Sequence, residues 1–265
     1  MKKNLTDFRV VENLRLTNRL FLLKLTPADG SPIQETKPGQ FVEVRVDNEP
    51  KVFLRRPISI HRVLNDENQL WLLVQNAGNG TNKMSELKQN DILNIVYPLG
   101  NGYTLSTGRV LLVGGGVGIA PLLEARAVMK QRGANVTYLL GARNANDLVE
   151  LDLYKSIGEV LVTTEDGSEI SGLDCPKGFV TNHTRMESGQ YDAIKVCGPG
   201  PMMKAVAKKI ADWPEAKQSH FCEVSLENKM ACGLGVCLCC VENTKEGHKC
   251  VCSEGPVFDV NDLNW

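Results

Sequence analysis

Six of the chain's nine cysteines fall between Cys232 and Cys252, while Cys175, Cys197 and Cys222 are scattered through the preceding sequence. Cys232, Cys237 and Cys240 follow the spacing C-x4-C-x2-C, and Cys252 comes after eleven more residues. Thiolates so spaced suit a cluster of two irons and two sulfides, in which a tight loop supplies three ligands and a later segment the fourth. Gly233 and Gly235 fit that chemistry, since a loop wrapped around sulfides needs close backbone approach and left-handed φ. The expected metal ligands are therefore Cys232, Cys237, Cys240 and Cys252. A zinc site built from Cys237-x2-Cys240 and Cys250-x-Cys252 is the alternative, but it leaves the x4 spacing and the glycines without a role. Cys239 and Cys250 are expected to be small side chains beside the cluster.

Two further stretches carry binding chemistry. Gly114-Gly115-Gly116-Val117-Gly118-Ile119-Ala120-Pro121 lies between an apolar Val-Leu-Leu-Val run and a helical pattern. Free backbone N–H groups and the positive end of a helix dipole favour a pyrophosphate there, and Pro121 suits a first helical turn. The stretch departs from G-x-G-x-x-G, and no acidic residue ends the next strand near Leu140. Cys197-Gly198-Pro199-Gly200-Pro201-Met202 also follows a short apolar run, which places Cys197, Gly198 and Pro199 at a strand's carboxyl end, where open α/β sheets bind ligands. Thr164-Glu165-Asp166-Gly167-Ser168 is a third such loop. Together they predict a dinucleotide site at Gly114, Gly115, Gly116, Val117, Gly118, Cys197, Gly198 and Pro199, with Cys197 as a nicotinamide contact and no acid or base catalyst. A buried structural thiol is the plain alternative for Cys197. Arg143 offers a cation to a 2′-phosphate, so the choice between NAD and NADP stays open.

Earlier in the chain, Arg56-Pro57-Ile58-Ser59 adjoins one strand and Gly78-Asn79-Gly80-Thr81 follows another. Arg56 is suited to bidentate pairing with a pyrophosphate, Ser59 offers a hydroxyl to a flavin edge, and the Gly80 and Thr81 amides offer anion contacts. Taken singly, these residues read equally as a surface arginine, a strand hydroxyl and a hairpin turn.

The elements that must position these groups divide the 265 residues into three. Short β-type runs at 21–25, 41–46, 58–63, 70–75 and 92–96, punctuated by Pro38-Gly39, Asn76 to Gly80 and Pro98 to Gly102, predict an antiparallel barrel over 1–104. Strand patterns at 110–113, 136–140, 160–164 and 193–197 alternate with helical patterns at 121–132 and 202–211, predicting a doubly wound parallel domain over 105–216 that Trp213-Pro214 closes. The Cys- and Gly-rich remainder, 217–265, lacks the apolar periodicity for a core of its own and depends on a bound cofactor. The fold class expected is thus multi-domain, β plus α/β. A formal net charge of -1 without a run of Lys or Arg removes the signature of nucleic-acid or anionic-membrane binding. With no apolar leader after Met1-Lys2-Lys3 and no membrane-length apolar run, a cytoplasmic protein is expected. His61, His183, His220 and His248 have no identifiable catalytic partner and are expected to be structural or surface histidines.

The order of barrel with Arg-Pro-x-Ser, then Gly-Gly-Gly-Val-Gly-Ile-Ala-Pro, then Cys-Gly-Pro-x-x-Met resembles the ferredoxin–NADP reductase superfamily over about residues 6 to 215. The stretches 223–237 and 251–258 extend the likeness: they resemble the electron-transfer subunits of dihydroorotate dehydrogenase B. This resemblance implies FAD contacts at Arg56, Pro57, Ile58, Ser59, Leu73, Val74, Gln75, Gly80 and Thr81. It also implies a [2Fe–2S] cluster on Cys232, Cys237, Cys240 and Cys252, with NAD(H) as cosubstrate; Pro98-Leu99-Gly100-Asn101-Gly102 matches a family stretch entering the second domain. Leu238-Cys239 departs from the pattern and leaves Cys239 against Cys240 open. The implied function is an oxidoreductase subunit of pyrimidine biosynthesis. Electrons from the FMN of a dihydroorotate-oxidising catalytic subunit pass through the cluster to FAD and leave as hydride to NAD+. A catalytic partner is needed because a substrate barrel would itself take about 250 residues, and the resemblance implies a heterotetramer of two plus two subunits. The small subunit of an NADH-dependent ferredoxin–NADP oxidoreductase is the nearest rival, and a non-catalytic zinc-binding interaction protein is a rival of another class.

Overall fold

The computed structural model describes residues 3–265. Its first half is a seven-stranded antiparallel sheet of β1 (Asn4–Arg15), β2 (Leu20–Pro27), β3 (Phe41–Val44), β4 (Arg56–Ser59), β5 (Arg62–Leu64), β6 (Gln69–Gln75) and β7 (Ile92–Leu99), ordered β4-β3-β7-β1-β2-β6-β5. The sheet curls until edge strand β4 approaches β6, enclosing Phe8, Leu23, Val42, Leu72 and Ile95. Strand β1 has no apolar run to announce it: of its twelve residues only Phe8 and Val10 are buried, and it is held by backbone ladders to β2 and β7. The expected turn at Gly78-Asn79-Gly80-Thr81 is instead the start of α1 (Asn79–Ser85), because Met84 gives the segment an apolar anchor that turn chemistry alone does not reveal.

The second sheet runs β10 (Glu159–Thr164), β9 (Asn135–Ala142), β8 (Arg109–Gly115), β11 (Ala193–Cys197), β12 (Cys222–Ser225), β15 (Val257–Asp259), all parallel except β15. Helices α2 (Ala120–Gln131), α3 (Leu151–Ile157) and α4 (Gly200–Ile210) cross between its strands. After β8 the chain builds outward through β9 and β10, then returns to place β11 on the other side of β8. This reversal opens a crevice at the carboxyl ends of β8 and β11, where Gly114 and Cys197 are register partners.

Beyond Trp213-Pro214 the same sheet continues, since β12 and β15 extend it past β11. The small hairpin of β13 (Val241–Thr244) and β14 (Gly247–Cys250), with the four-residue turn α5 (Val251–Glu254), caps that edge. Cys240, Cys250, Cys252 and Phe258 share one buried cluster with Phe41 and Leu99 of the barrel and Val113 and Val196 of the parallel sheet. The cysteine-rich tail thus borrows its core from both larger units. A buried ion pair fixes the junction: Lys195 Nζ, fully buried, lies 2.8 Å from Glu223 Oε2, and Thr104 donates its backbone N–H and its hydroxyl to the same carboxylate.

Candidate functional site

The cysteine loop leaves β12 and returns at β13. Leu234 N donates to Cys232 Sγ at 3.3 Å, Gly235 N to Cys252 Sγ at 3.1 Å, and Cys252 N to Cys240 Sγ at 3.4 Å. Gly233 and Gly235 have left-handed φ of 65° and 81°. A Cβ on Gly233 would stand 2.7 Å from Glu43 Cγ, and one on Gly235 would stand 2.7 Å from Ser253 Oγ, so glycine is required twice over. Leu238, also left-handed at φ 59°, turns the chain so that Cys239 faces solvent and Cys240 is buried.

The thiols fall in two neighbouring pairs, Cys232 beside Cys237 and Cys240 beside Cys252. Desolvation raises the Cys232 thiol, but the N–H groups of Leu234, Cys237 and Val236 outweigh it and bring the thiol well below its ordinary range. Burial and the Cys240 thiol push Cys252 the other way. Among the described residues no three His, Cys, Asp or Glu side chains are gathered to hold a metal ion. Four thiols in two pairs, ringed by N–H donors aimed at sulfur, match the donor set of a binuclear cluster, whose two irons each take two thiolates. The residues present fit that group.

Beside this loop lies a residue that sequence reasoning did not single out. Glu43 on β3 is 1% exposed, neither carboxylate oxygen has a hydrogen-bond partner, and burial raises its carboxyl to about 7. It faces Gly233 across the barrel boundary and pairs in register with Pro57 of β4. The cysteine loop therefore abuts the strand next to Arg56-Pro57-Ile58-Ser59.

Of the residues expected to hold FAD, Arg56 and Gly80 meet: a Cβ on Gly80 would be 2.5 Å from Arg56 Nε, so the glycine leaves room for the guanidinium. Thr81 turns its hydroxyl inward to accept from the Ala77 N–H at 2.9 Å. Leu73 and Val74 bury their side chains in the core and have only backbone to offer, whereas Gln75 is partly open. Next to Gln75, Asn76 Oδ1 is buried without a partner. A guanidinium over a glycine cradle and an orphaned amide oxygen fit the pyrophosphate and ring of a flavin dinucleotide.

The nucleotide crevice is a cavity of about 610 Å³. Gly115, Gly116, Val117, Gly118, Gly198 and Pro199 line it, with Arg143, Thr163 and Glu165 toward the β9 and β10 ends and Leu20 and Gln75 from the barrel. Gly114 and Cys197 do not line it. Cys197 is fully buried, and burial with the neighbouring Glu227 carboxylate pushes its thiol well above the ordinary range, leaving Gly198 and Pro199 as the open part of that loop. A Cβ on Gly118 would stand 2.5 Å from Gly198 Cα and 2.6 Å from the Cys197 carbonyl carbon, so the two loops touch through a missing side chain. Glu227 opens onto the cavity, and desolvation by the surrounding protein raises its carboxyl although the residue is exposed. Nothing in its sequence neighbourhood marks it as a cavity residue, because it reaches the site only through the fold of β12.

Comparison with known proteins agrees with this arrangement. Residues 227–264 match the iron–sulfur cluster binding domain of dihydroorotate dehydrogenase B, and residues 112–208 match the oxidoreductase NAD-binding domain. A dihydroorotate dehydrogenase B (NAD(+)) electron transfer subunit of Caldanaerobacter subterraneus subsp. tengcongensis is 38% identical over 255 residues, covering 94% of each chain. The subunit of the same description from Streptococcus pneumoniae is 36% identical over 96% of each chain. Among solved structures, an NADH-dependent reduced ferredoxin–NADP oxidoreductase superposes with a TM-score of 0.82 at 29% identity, over 97% of this chain and 90% of that one. The FAD/NAD binding domain of a nitric oxide dioxygenase from Vibrio cholerae, at 19% identity and TM-score 0.69 over 83% of this chain and 97% of that one, shares the fold. With two full-length relatives above 30% identity and the cluster domain matched by its own model, the chain belongs to the family of dihydroorotate dehydrogenase B electron transfer subunits.

Proposed function

We propose that this chain is the electron-transfer subunit of an NAD-linked dihydroorotate dehydrogenase in pyrimidine biosynthesis. The observation that carries the reading is the continuity of the three sites: the cysteine loop abuts β3, β3 pairs with the Arg56–Ser59 strand, and Gln75 of the barrel reaches the nucleotide cavity. When bound, the cluster passes single electrons and FAD stores a pair that it exchanges with NAD(H) as hydride. The protein's own part is to hold and align these groups. Cys232, Cys237, Cys240 and Cys252 are the proposed cluster ligands, and Cys239, turned to solvent, is not one. Arg56, Ser59, Gln75, Gly80 and Thr81 hold FAD together with the Pro57, Ile58, Leu73 and Val74 backbone. Gly115 to Gly118, Gly198 and Pro199 seat the pyrophosphate and nicotinamide of NAD+, and the buried Cys197 backs that loop from behind.

Dihydroorotate chemistry belongs to a partner bearing FMN, which docks over the cysteine loop, where Leu234, Val236 and Leu238 are exposed apolar side chains around the cluster ligands. Two such pairs form the proposed assembly, in the cytoplasm, where free thiols persist. No helix of the described residues is long and apolar enough to cross a membrane. The likeness to an NADH-dependent ferredoxin–NADP oxidoreductase keeps that enzyme's small subunit as a second reading. Copurification decides between them: an FMN subunit that makes NADH from dihydroorotate only with this chain present supports the first, and a larger partner with [4Fe–4S] clusters and no such activity supports the second.

A further inference from the structure

His61 is fully buried at the seam between the barrel and the nucleotide domain. Its backbone N–H donates to Trp71 O at 2.9 Å, which ties it to β6 of the barrel. Its ring reaches across: Nδ1 lies 2.8 Å from the carbonyl oxygen of Ala120, the first residue of α2. A carbonyl can only accept, so Nδ1 carries the proton of this bond. Nε2 stands 3.1 Å from Glu150 Oε2 but outside hydrogen-bond geometry. A second rung joins the same helix, since Val63 N donates to Glu124 Oε2 at 3.2 Å. Ala120 and Glu124 are four residues apart and share one face of α2. Both rungs run from the segment just after Ser59 to the helix just after Gly118.

The two ends of this strap are therefore the flavin-side strand and the nucleotide loop. We propose that His61 is a positioning residue for hydride exchange: its bond to the Ala120 carbonyl sets the loop Gly115–Gly118 against β4 and so fixes how nicotinamide meets flavin. This rests on the function proposed above, in which FAD and NAD(H) would exchange hydride, and reduction by NADH reads the same alignment in the reverse direction. Hydride transfer demands close alignment, and a displacement of about 1 Å costs on the order of 100-fold in rate. A buried imidazole whose single well-formed ring bond crosses the seam is placed to prevent such a displacement. Tyr154 supports it from the other side, donating its hydroxyl to the Ile119 carbonyl at 3.1 Å.

The test is anaerobic stopped-flow reduction of the FAD-loaded full chain by NADH, followed at the flavin band and at the long-wavelength absorbance of stacked flavin and nicotinamide. His61→Leu removes the bond, His61→Asn keeps a donor near the Nδ1 position, and His61→Gln moves it to the Nε2 position. The expected result is a limiting rate lowered about tenfold or more in His61→Leu and His61→Gln, with a weakened long-wavelength band and a smaller change in the NADH dissociation constant. His61→Asn stays within about threefold of the original chain. FAD and iron per chain stay unchanged throughout. Should His61→Leu fail to fold, the contrast of Asn with Gln carries the test. A rate in His61→Leu within twofold of the original, or equal rescue by Gln and Asn, overturns the proposal. If the unaltered chain itself is not reduced by NADH, the functional reading fails first and this proposal with it.

Discussion

Cys239 and Cys240 are adjacent in sequence and opposite in environment, one facing solvent and the other 2% exposed with the Cys252 N–H on its sulfur. Replacing Cys240 by Ser is expected to abolish cluster loading, from about two irons per chain to none, while Cys239→Ser keeps both, as measured by iron and sulfide analysis. Gly233→Ala puts a side chain at φ 65° against Glu43, so at least ~1 kcal/mol of stability and a large part of the iron should be lost, read by melting temperature and iron content. At this scale the cysteines and glycines are legible because ligand number, spacing and left-handed backbone restrict the residue type. Glu43, Glu227 and His61 are not legible: each acquires its environment from residues distant in sequence, such as Gly233 for Glu43 and Ala120 for His61.

The parallel sheet shows which elements a sequence announces. Strands β8, β9, β10 and β11 are buried apolar runs before turn loops, and they lie close to where periodicity puts them. Strand β1 escapes notice because backbone ladders and not apolar side chains hold it, and β12 and β15 escape because each is four residues or fewer. What fixes β12 against β11 is the Lys195–Glu223 pair. Burial raises the Glu223 carboxyl, but the Lys195 ammonium and the Thr104 donors outweigh it, so the carboxyl sits below its ordinary range. Its stabilisation is therefore present above the ordinary carboxylate range and is lost as pH falls through the depressed value. Glu223→Gln should flatten the fall of melting temperature between roughly pH 5 and 3. Glu223→Ala strands a fully buried ammonium and is expected to cost roughly 3–5 kcal/mol, visible as a melting-temperature drop on the order of 10 °C near pH 7.

As a whole molecule, the chain is two large sheets and a small hairpin, and the seam between the large sheets carries every proposed redox site, with the cysteine loop at one end and the nucleotide cavity at the other. The tail is bound into this seam through β12, β15 and the common core of Cys252, Phe41 and Leu99, so it is not a detachable module. The exposed Val236, 78% open, lies on the loop proposed to meet the catalytic partner. Val236→Asp should weaken subunit assembly by tenfold or more in size-exclusion or sedimentation titrations while leaving reduction of the isolated chain by NADH intact; unchanged assembly would place the partner elsewhere.

In the proposed function one chain holds FAD and a [2Fe–2S] cluster in electronic contact with NAD(H). The decisive measurement is an anaerobic visible and electron paramagnetic resonance titration of the purified chain with NADH, with FAD, iron, sulfide and zinc counted on the same sample. The expected result is about one FAD, two irons and two sulfides per chain, flavin bleaching on addition of NADH, and the appearance of a reduced-cluster signal. A colourless, zinc-containing chain that does not react with NADH would contradict it.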